Sequence, residues 1–163
     1  MLFSFSFRCW VAGWGKNSEG ELQRLMRKVD LPIYQRARCG SRLKDEMAEC
    51  DPRTARALKL HPSEICAGTE VSHPLKKVLF PVTFVPGGEA GKDACSGDGG
   101  SPMVCQSREG RWHLVGLVNW GVCDKCAEED VPGVYVNVYH FKEWIDSVGV
   151  NNVGSVVSVR RNG

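Results

Sequence analysis

Eight cysteines in a chain of 163 residues constrain this sequence more than any other feature. An even count at that density favours an oxidising, extracytoplasmic compartment in which thiols pair as disulfides. Counting alone allows on the order of a hundred full pairings, so the number points to a compartment and leaves the connectivity open. The rival use of closely spaced cysteines is a metal site, and Cys123-Asp-Lys-Cys126 has the spacing of half a zinc site. No second such pair and no suitably spaced histidine pair accompanies it, so no metal and no cofactor are expected.

The length suits one domain, able to bury roughly two-thirds of the surface its unfolded form exposes. Twenty-one Lys+Arg against 19 Asp+Glu leave a net charge of +2. That balance carries no basic field for nucleic acid or an anionic membrane surface. No apolar stretch approaches the ~20 residues of a membrane span. Eighteen glycines favour turns and strands over long helices. Residues 1–8 have neither the basic region nor the small-residue cleavage site of a signal peptide. They read as a spurious or disordered start, with the export signal expected upstream of this sequence.

Cys9 to Gly15 is an aromatic and β-branched run ending in glycine, read as a strand, and Leu22 to Tyr34 reads as a second. Gln35 to Ala48 predicts a helix carrying Cys39, with Leu43 and Met47 four apart, ended at Asp51-Pro52. Ile65 to Gly68, Pro102 to Cys105, Trp112 to Trp120 and Val134 to Val138 read as further strands, the third of them buried and central. Phe141, Trp144, Ile145 and Val148 follow the spacing of an amphipathic helix, stopped at Gly149. About six short strands with one internal and one terminal helix predict an all-β, six-stranded antiparallel barrel. Its extent is 9–150, with a polar tail at 151–163 expected to fray.

The segment Gly91-Lys-Asp-Ala-Cys-Ser-Gly-Asp-Gly-Gly-Ser-Pro-Met-Val-Cys105 closely resembles the nucleophile loop of trypsin-like (chymotrypsin-fold) serine proteases. Cys9-Trp-Val-Ala-Gly-Trp-Gly15, Ile65-Cys-Ala-Gly68, Gly116-Leu-Val-Asn-Trp-Gly121 and Pro132-Gly-Val-Tyr-Val-Asn-Val138 resemble further motifs of that family, in the same order. The matches cover its C-terminal half, the second of two barrels. The form Gly-Asp-Gly-Gly-Ser-Pro narrows the resemblance to masquerade-like, clip-domain serine protease homologues of arthropods.

Gly99 stands where the family carries its catalytic serine, so no Oγ is present to attack a carbonyl. Ser101 is close in sequence but lies past the tight turn whose own amide helps form an oxyanion hole. Among His61, His73, His113 and His140, none lies in the family's histidine motif, and the triad aspartate also belongs to the missing first half. The resemblance implies an oxyanion-hole-like pair of amides at Gly97 and Gly99. It implies a specificity pocket with Asp93 at its base and Asn119, Trp120 and Gly121 in its wall, Asn119 replacing the usual serine. Asp98 corresponds to the residue that pairs with a new N-terminus after activation cleavage. The pocket is then either a cleft that binds a basic segment without cutting it or residual packing.

The resemblance also implies the bridges Cys9–Cys105, Cys39–Cys66 and Cys95–Cys126. Cys50 and Cys123 are left over, on loops that neighbour one another in that fold, and a fourth bridge between them is expected. Thr69 to Gly87 is an insertion relative to the family, read either as unspliced intron sequence or as a long surface loop. The function this points to is a secreted, non-catalytic homologue acting through protein partners, cascade proteases or prophenoloxidase, in an extracellular immune cascade. The alternatives are a trypsin-like endopeptidase, if a nucleophile and first barrel were restored, and a non-functional partial product.

Overall fold

The computed structural model describes residues 5–17, 19–68, 93–123, 126–128 and 130–152, with residues 5–8 and 150–152 described by backbone only. The insertion expected at 69–87 and residues 1–4 and 153–163 lie outside them. Six strands, β1 (Phe5–Gly13), β2 (Arg27–Tyr34), β3 (Glu64–Ala67), β4 (Pro102–Ser107), β5 (Trp112–Trp120) and β6 (Gly133–Asn137), close into an antiparallel barrel in the order β1-β2-β3-β6-β5-β4. Helices α1 (Arg36–Cys50) and α2 (Pro52–Ala57) fill the β2–β3 connection, and α3 (Lys142–Asn152) ends the described chain.

Period-two alternation directs the barrel interior. Cys9, Val11, Leu31, Ala67, Met103, Cys105 and Tyr135 form one buried cluster. Gly116 sits close against this cluster: a Cβ on it would lie 2.7 Å from Met103 Cε and 3.2 Å from Tyr135 Cβ, so the methionine would have to move to admit one. A second cluster, Tyr34, Cys39, Leu43, Leu58, Cys66, Val122 and Val134, lies where α1 covers the barrel. Val134 and Tyr135 are therefore both buried, on opposite faces of β6. Each fully buried Leu or Val of these clusters contributes roughly 1.5–3 kcal/mol.

α1 owes little to its own sequence. Its N-cap, Gln35, makes no side-chain cap bond and its first turn has no acidic residue, although that end of the helix dipole favours negative charge. Tertiary ties hold it instead. Arg36 donates to the carbonyls of Leu60 and Glu64, and Arg38 and Arg42 pair with Asp130 at 3.1 Å. α2 is capped locally, since the Asp51 carboxylate accepts from the N–H of Arg53 and Thr54, with Pro52 in its first turn.

Four expectations need correction. The backbone of Phe5–Arg8 continues β1 ahead of the strand start expected at Cys9. Residues 22–26 precede β2 as a loop, with Leu22, Leu25 and Met26 exposed and only an isolated bridge between Lys16 and Leu22. β5 is not buried throughout: Trp112 and Leu114 are 54% and 48% exposed, because its outer face is uncovered there. The last helix runs through Gly149 to Asn152; Gly149 lacks the left-handed backbone that would have ended it. Phe141, Trp144, Ile145 and Val148 are exposed and not packed as a core stripe.

The eight cysteines form four bridges: Cys9–Cys105, Cys39–Cys66, Cys50–Cys123 and Cys95–Cys126. Cys9 and Cys105 face one another in register across the β1–β4 seam. Cys39–Cys66 ties α1 to β3, and Cys50–Cys123 joins the last residue of α1 to the loop after β5.

Candidate functional site

One cavity, of about 220 Å³, opens between the 93–99 loop, the end of β5 and the start of β6. It is smaller than the few hundred Å³ of a site for a drug-sized ligand, and suits a single side chain. Asp93, Gly97, Gly99, Asn119, Trp120 and Gly121 all line it. Asp98 does not, and neither does Ser101.

Asp93 forms the polar floor. Its Oδ1 accepts from the N–H of Ala94 at 2.8 Å and its Oδ2 from that of Ala127 at 3.3 Å. Burial disfavours the charge and pushes the carboxyl up to about 6, against those two hydrogen bonds and with a smaller contribution from Asp98. Beside it stands Tyr135, 1% exposed, whose hydroxyl has no hydrogen-bond partner among the described residues. Burial, with the nearby Asp93, keeps that phenol protonated. Both groups converge on Gly133: a Cβ there would lie 3.5 Å from Asp93 Oδ1 and 3.6 Å from the Tyr135 oxygen. The half-buried Asp93 carboxylate is an acceptor that a cationic, hydrogen-bonding group could use, while the Tyr135 hydroxyl beside it is closed off from solvent.

The 95–101 turn supplies the rim. Asp98 Oδ1 accepts from Gly15 N–H at 2.7 Å and its Oδ2 from Cys95 N–H at 3.0 Å. Its carboxylate occupies the space that side chains at 13 and 15 would need, with added Cβ atoms only 2.0 and 2.4 Å away. The glycines of the Gly-Trp-Gly motif are thus the seat of Asp98, a role that strand reading does not reveal. The Ser96 carbonyl accepts from Lys16 N–H at 2.9 Å. A trans peptide points its C=O and N–H in opposite directions, so Gly97 N–H faces away from Lys16. The N–H groups of Asp98, Gly100 and Ser101 go to the carbonyls of Cys95, Val118 and Asp98. Those of Gly97 and Gly99 have no acceptor among the described residues. Gly97 and Gly100 have φ of +99° and +82°, so the glycines are required by the backbone.

Gly13→Ala is expected to drive the Asp98 carboxylate from its seat. The overpacking and the lost charge-assisted bonds should lower stability by about 2–4 kcal/mol in urea unfolding; an unchanged midpoint would show that the seat is not needed.

Ser101 cannot serve at the cavity, because its Oγ faces β1, 2.9 Å from where a Cβ on Gly13 would stand. The described histidines are elsewhere. His61 bonds Ser63 at 2.7 Å and stacks edge-on with His140, and His113 lies in β5 opposite Cys105; His73 is outside the described residues. No group of three metal-ligating side chains occurs among the described residues. Trp120 is fixed by its indole N–H, which donates to Glu64 Oε1 at 2.9 Å. The loop before β6 is fastened by Cys95–Cys126 and by Asp130, which accepts from Tyr34 and pairs with Arg38 and Arg42. Sequence reading missed Tyr135, Gly133 and Ala127; only the position of Tyr135 on an inward-facing strand phase could have signalled its role.

Residues 4–145 match the family described as Trypsin. The chain is 43% identical over 142 residues to "Inactive CLIP domain-containing serine protease A3" of Aedes aegypti, covering 85% of this chain and 24% of that protein. It is 38% identical over 144 residues to "Phenoloxidase-activating factor 2" of Galleria mellonella, covering 85% and 39%. With "Protein masquerade" of Drosophila melanogaster it shares 35% over 148 residues, covering 90% and 11%. The chain thus spans well under half the length of these relatives. With the closed barrel, the ordered motifs and a family match over most of its length, the chain belongs to the trypsin-like serine proteases, among relatives of the clip-domain and masquerade type.

Proposed function

We propose that this chain is part of a secreted, non-catalytic protease homologue that holds a basic segment of a partner protein. The observation that carries the reading is Gly99: the nucleophile turn is fully built around a residue with no side chain, beside a cavity whose carboxylate floor is intact. Loss of a nucleophile costs a related hydrolase about 10⁶ in kcat, whereas the binding cavity does not depend on it. Four disulfides support an extracellular setting. Relatives named as inactive proteases and as a phenoloxidase-activating factor support a cofactor role in an arthropod immune cascade, such as prophenoloxidase activation. Its partners would be cascade proteases or prophenoloxidase itself.

The test has two arms. The full-length product treated with a fluorophosphonate should acquire no covalent label, and labelling would overturn the non-catalytic reading. The purified chain titrated with an arginine-containing peptide should give saturable heat that disappears when norleucine replaces arginine; equal binding of both would leave Asp93 without a role. Gly99→Ser is expected to leave peptide hydrolysis by this chain at background, since no described histidine lines the cavity.

A further inference from the structure

The charge of the chain is unevenly placed. Residues 35–60, which hold α1 and α2, carry seven Lys or Arg against four Asp or Glu, although the whole chain is only +2. Two of those acids are committed locally: Glu46 is buried and pairs with Arg42, and the Asp51 carboxylate caps α2. Lys44, Arg56 and Lys59 are exposed, and none has an ion-pair partner among the described residues.

Two of these cations flank a groove of about 310 Å³ between α1 and the stretch 58–60 that follows α2. Lys44 lines it from α1 and Lys59 from the facing stretch, which also contributes the buried Leu58 and the half-buried Leu60. The groove is open because Gly40 is there: a Cβ built on it meets nothing within 4 Å. It is also held in shape. Arg36 donates from α1 to the Leu60 carbonyl, and Leu58 N–H is closed onto Ala55. The N–H groups of Lys59 and Leu60, by contrast, have no acceptor among the described residues. None of the residues that line this groove lines the Asp93 cavity.

Unpaired ammonium groups on both sides ask for carboxylates. Leucine surface between them asks for an apolar side chain, and free main-chain N–H groups on an extended stretch ask for the carbonyls of another extended chain. A sulfated glycan would meet the charges but offers nothing to the leucines. We propose that the groove docks an acidic, extended segment of a partner protein, with carboxylates on Lys44 and Lys59 and an apolar side chain against Leu58 and Leu60. The Asp93 cavity and this groove take ligands of opposite charge, so the two do not compete and the proposal does not depend on the Asp93 reading.

Calorimetric titration of the full chain with the acetylated and amidated peptide Asp-Glu-Leu-Glu-Asp tests it. That peptide should bind saturably, at least about tenfold more tightly than its neutral counterpart Asn-Gln-Leu-Gln-Asn, and more weakly as salt is raised. Lys44→Glu combined with Lys59→Glu should remove the preference. Gly40→Leu keeps every charge, favours the helix and fills the groove, and should weaken the acidic peptide at least about tenfold. Binding of an arginine-containing peptide should be unchanged in both variants. Equal binding of the acidic and neutral peptides, or binding of neither, would overturn the proposal and leave the Asp93 reading intact. An acidic preference that survives Gly40→Leu in a folded variant would assign it to diffuse surface charge and overturn the groove. A sulfated heparin hexasaccharide that binds more tightly than the peptide and is equally impaired by Gly40→Leu would make the occupant a glycan and also overturn it. Should either variant not fold, the two peptides on the unaltered chain still decide whether acidic segments are taken.

Discussion

Replacing Cys9 and Cys105 together by alanine should lower the stability of the chain by about 2–5 kcal/mol and its urea midpoint by roughly 2 M. The two residues are 96 apart in sequence and opposite one another in register, so their bond closes the barrel at its β1–β4 seam. Every other bridge joins elements on the far side of that seam or loops above it. Without the bond, closure rests on the backbone ladder and on side chains such as Val11 and Met103, both 2% exposed or less. The alanines also leave two sulfur-sized vacancies in the core, a loss added to that of the cross-link. Against the 5–15 kcal/mol typical of a domain, this is a large fraction. Urea unfolding followed by tryptophan fluorescence measures it; a midpoint within error of the parent would mean that the ladder alone closes the barrel.

The second large effect is on binding. Asp93→Asn should weaken capture of an arginine-containing peptide by at least about 100-fold, because it leaves a desolvated cation without its counter-charge. Folding should respond in the opposite direction. In the empty cavity, burial holds the Asp93 proton up to about 6, above its position in the unfolded chain. Its contribution to stability is therefore complete below about pH 4 and is lost as pH rises through about 6, a change of about 3 kcal/mol. Asparagine does not ionise and escapes that loss, but its NH2 cannot accept from Ala94 or Ala127, so one of those two bonds is given up. A bound cation has the reverse demand and needs the carboxylate ionised. Peptide affinity of the parent chain should therefore rise roughly fivefold between pH 5 and 6 and about twofold more before levelling off above about 7, with proton release below the plateau. Titration across pH 5–8 in buffers of different ionisation heat reads both the slope and the proton count. A flat profile would place the cation away from Asp93.

Much of the barrel was legible because its strands are bounded by strong punctuation and patterned by period two. Cys9 to Gly15 and Val134 to Val138 carry β-branched and aromatic residues flanked by glycine, and β1 and β6 lie there. What failed to read correctly were segments whose state tertiary structure decides. Leu22 to Met26 has strand-like composition, but its residues bulge out beside the turn that carries Ser96 and Gly97. Gly149 has the identity of a helix stop without the backbone conformation of one. The site was legible wherever a motif named it: Asp93, Gly97, Gly99, Trp120 and Gly121 do line one cavity. The support beneath it was not, because the fit of the Asp98 carboxylate over Gly13 and Gly15 joins residues more than eighty positions apart. Likewise, nothing local to Tyr135 indicates that its hydroxyl is left without a partner in a closed interior.

The seat of Asp98 bears on how freely each position of this protein can drift. The turn is suspended from Gly13, Gly15, Cys95 and Val118, and no hydrogen bond or packing contact that holds it passes through the side of Gly99. Mechanically, residue 99 is a passenger on its own loop. Mutation there can erase or restore a hydroxyl without disturbing the scaffold, whereas the two quiet glycines in β1 and just beyond it tolerate almost no side chain. The build of this turn and the presence of a hydroxyl on it thus depend on separate residues, so the second can change at a single position while the first is kept.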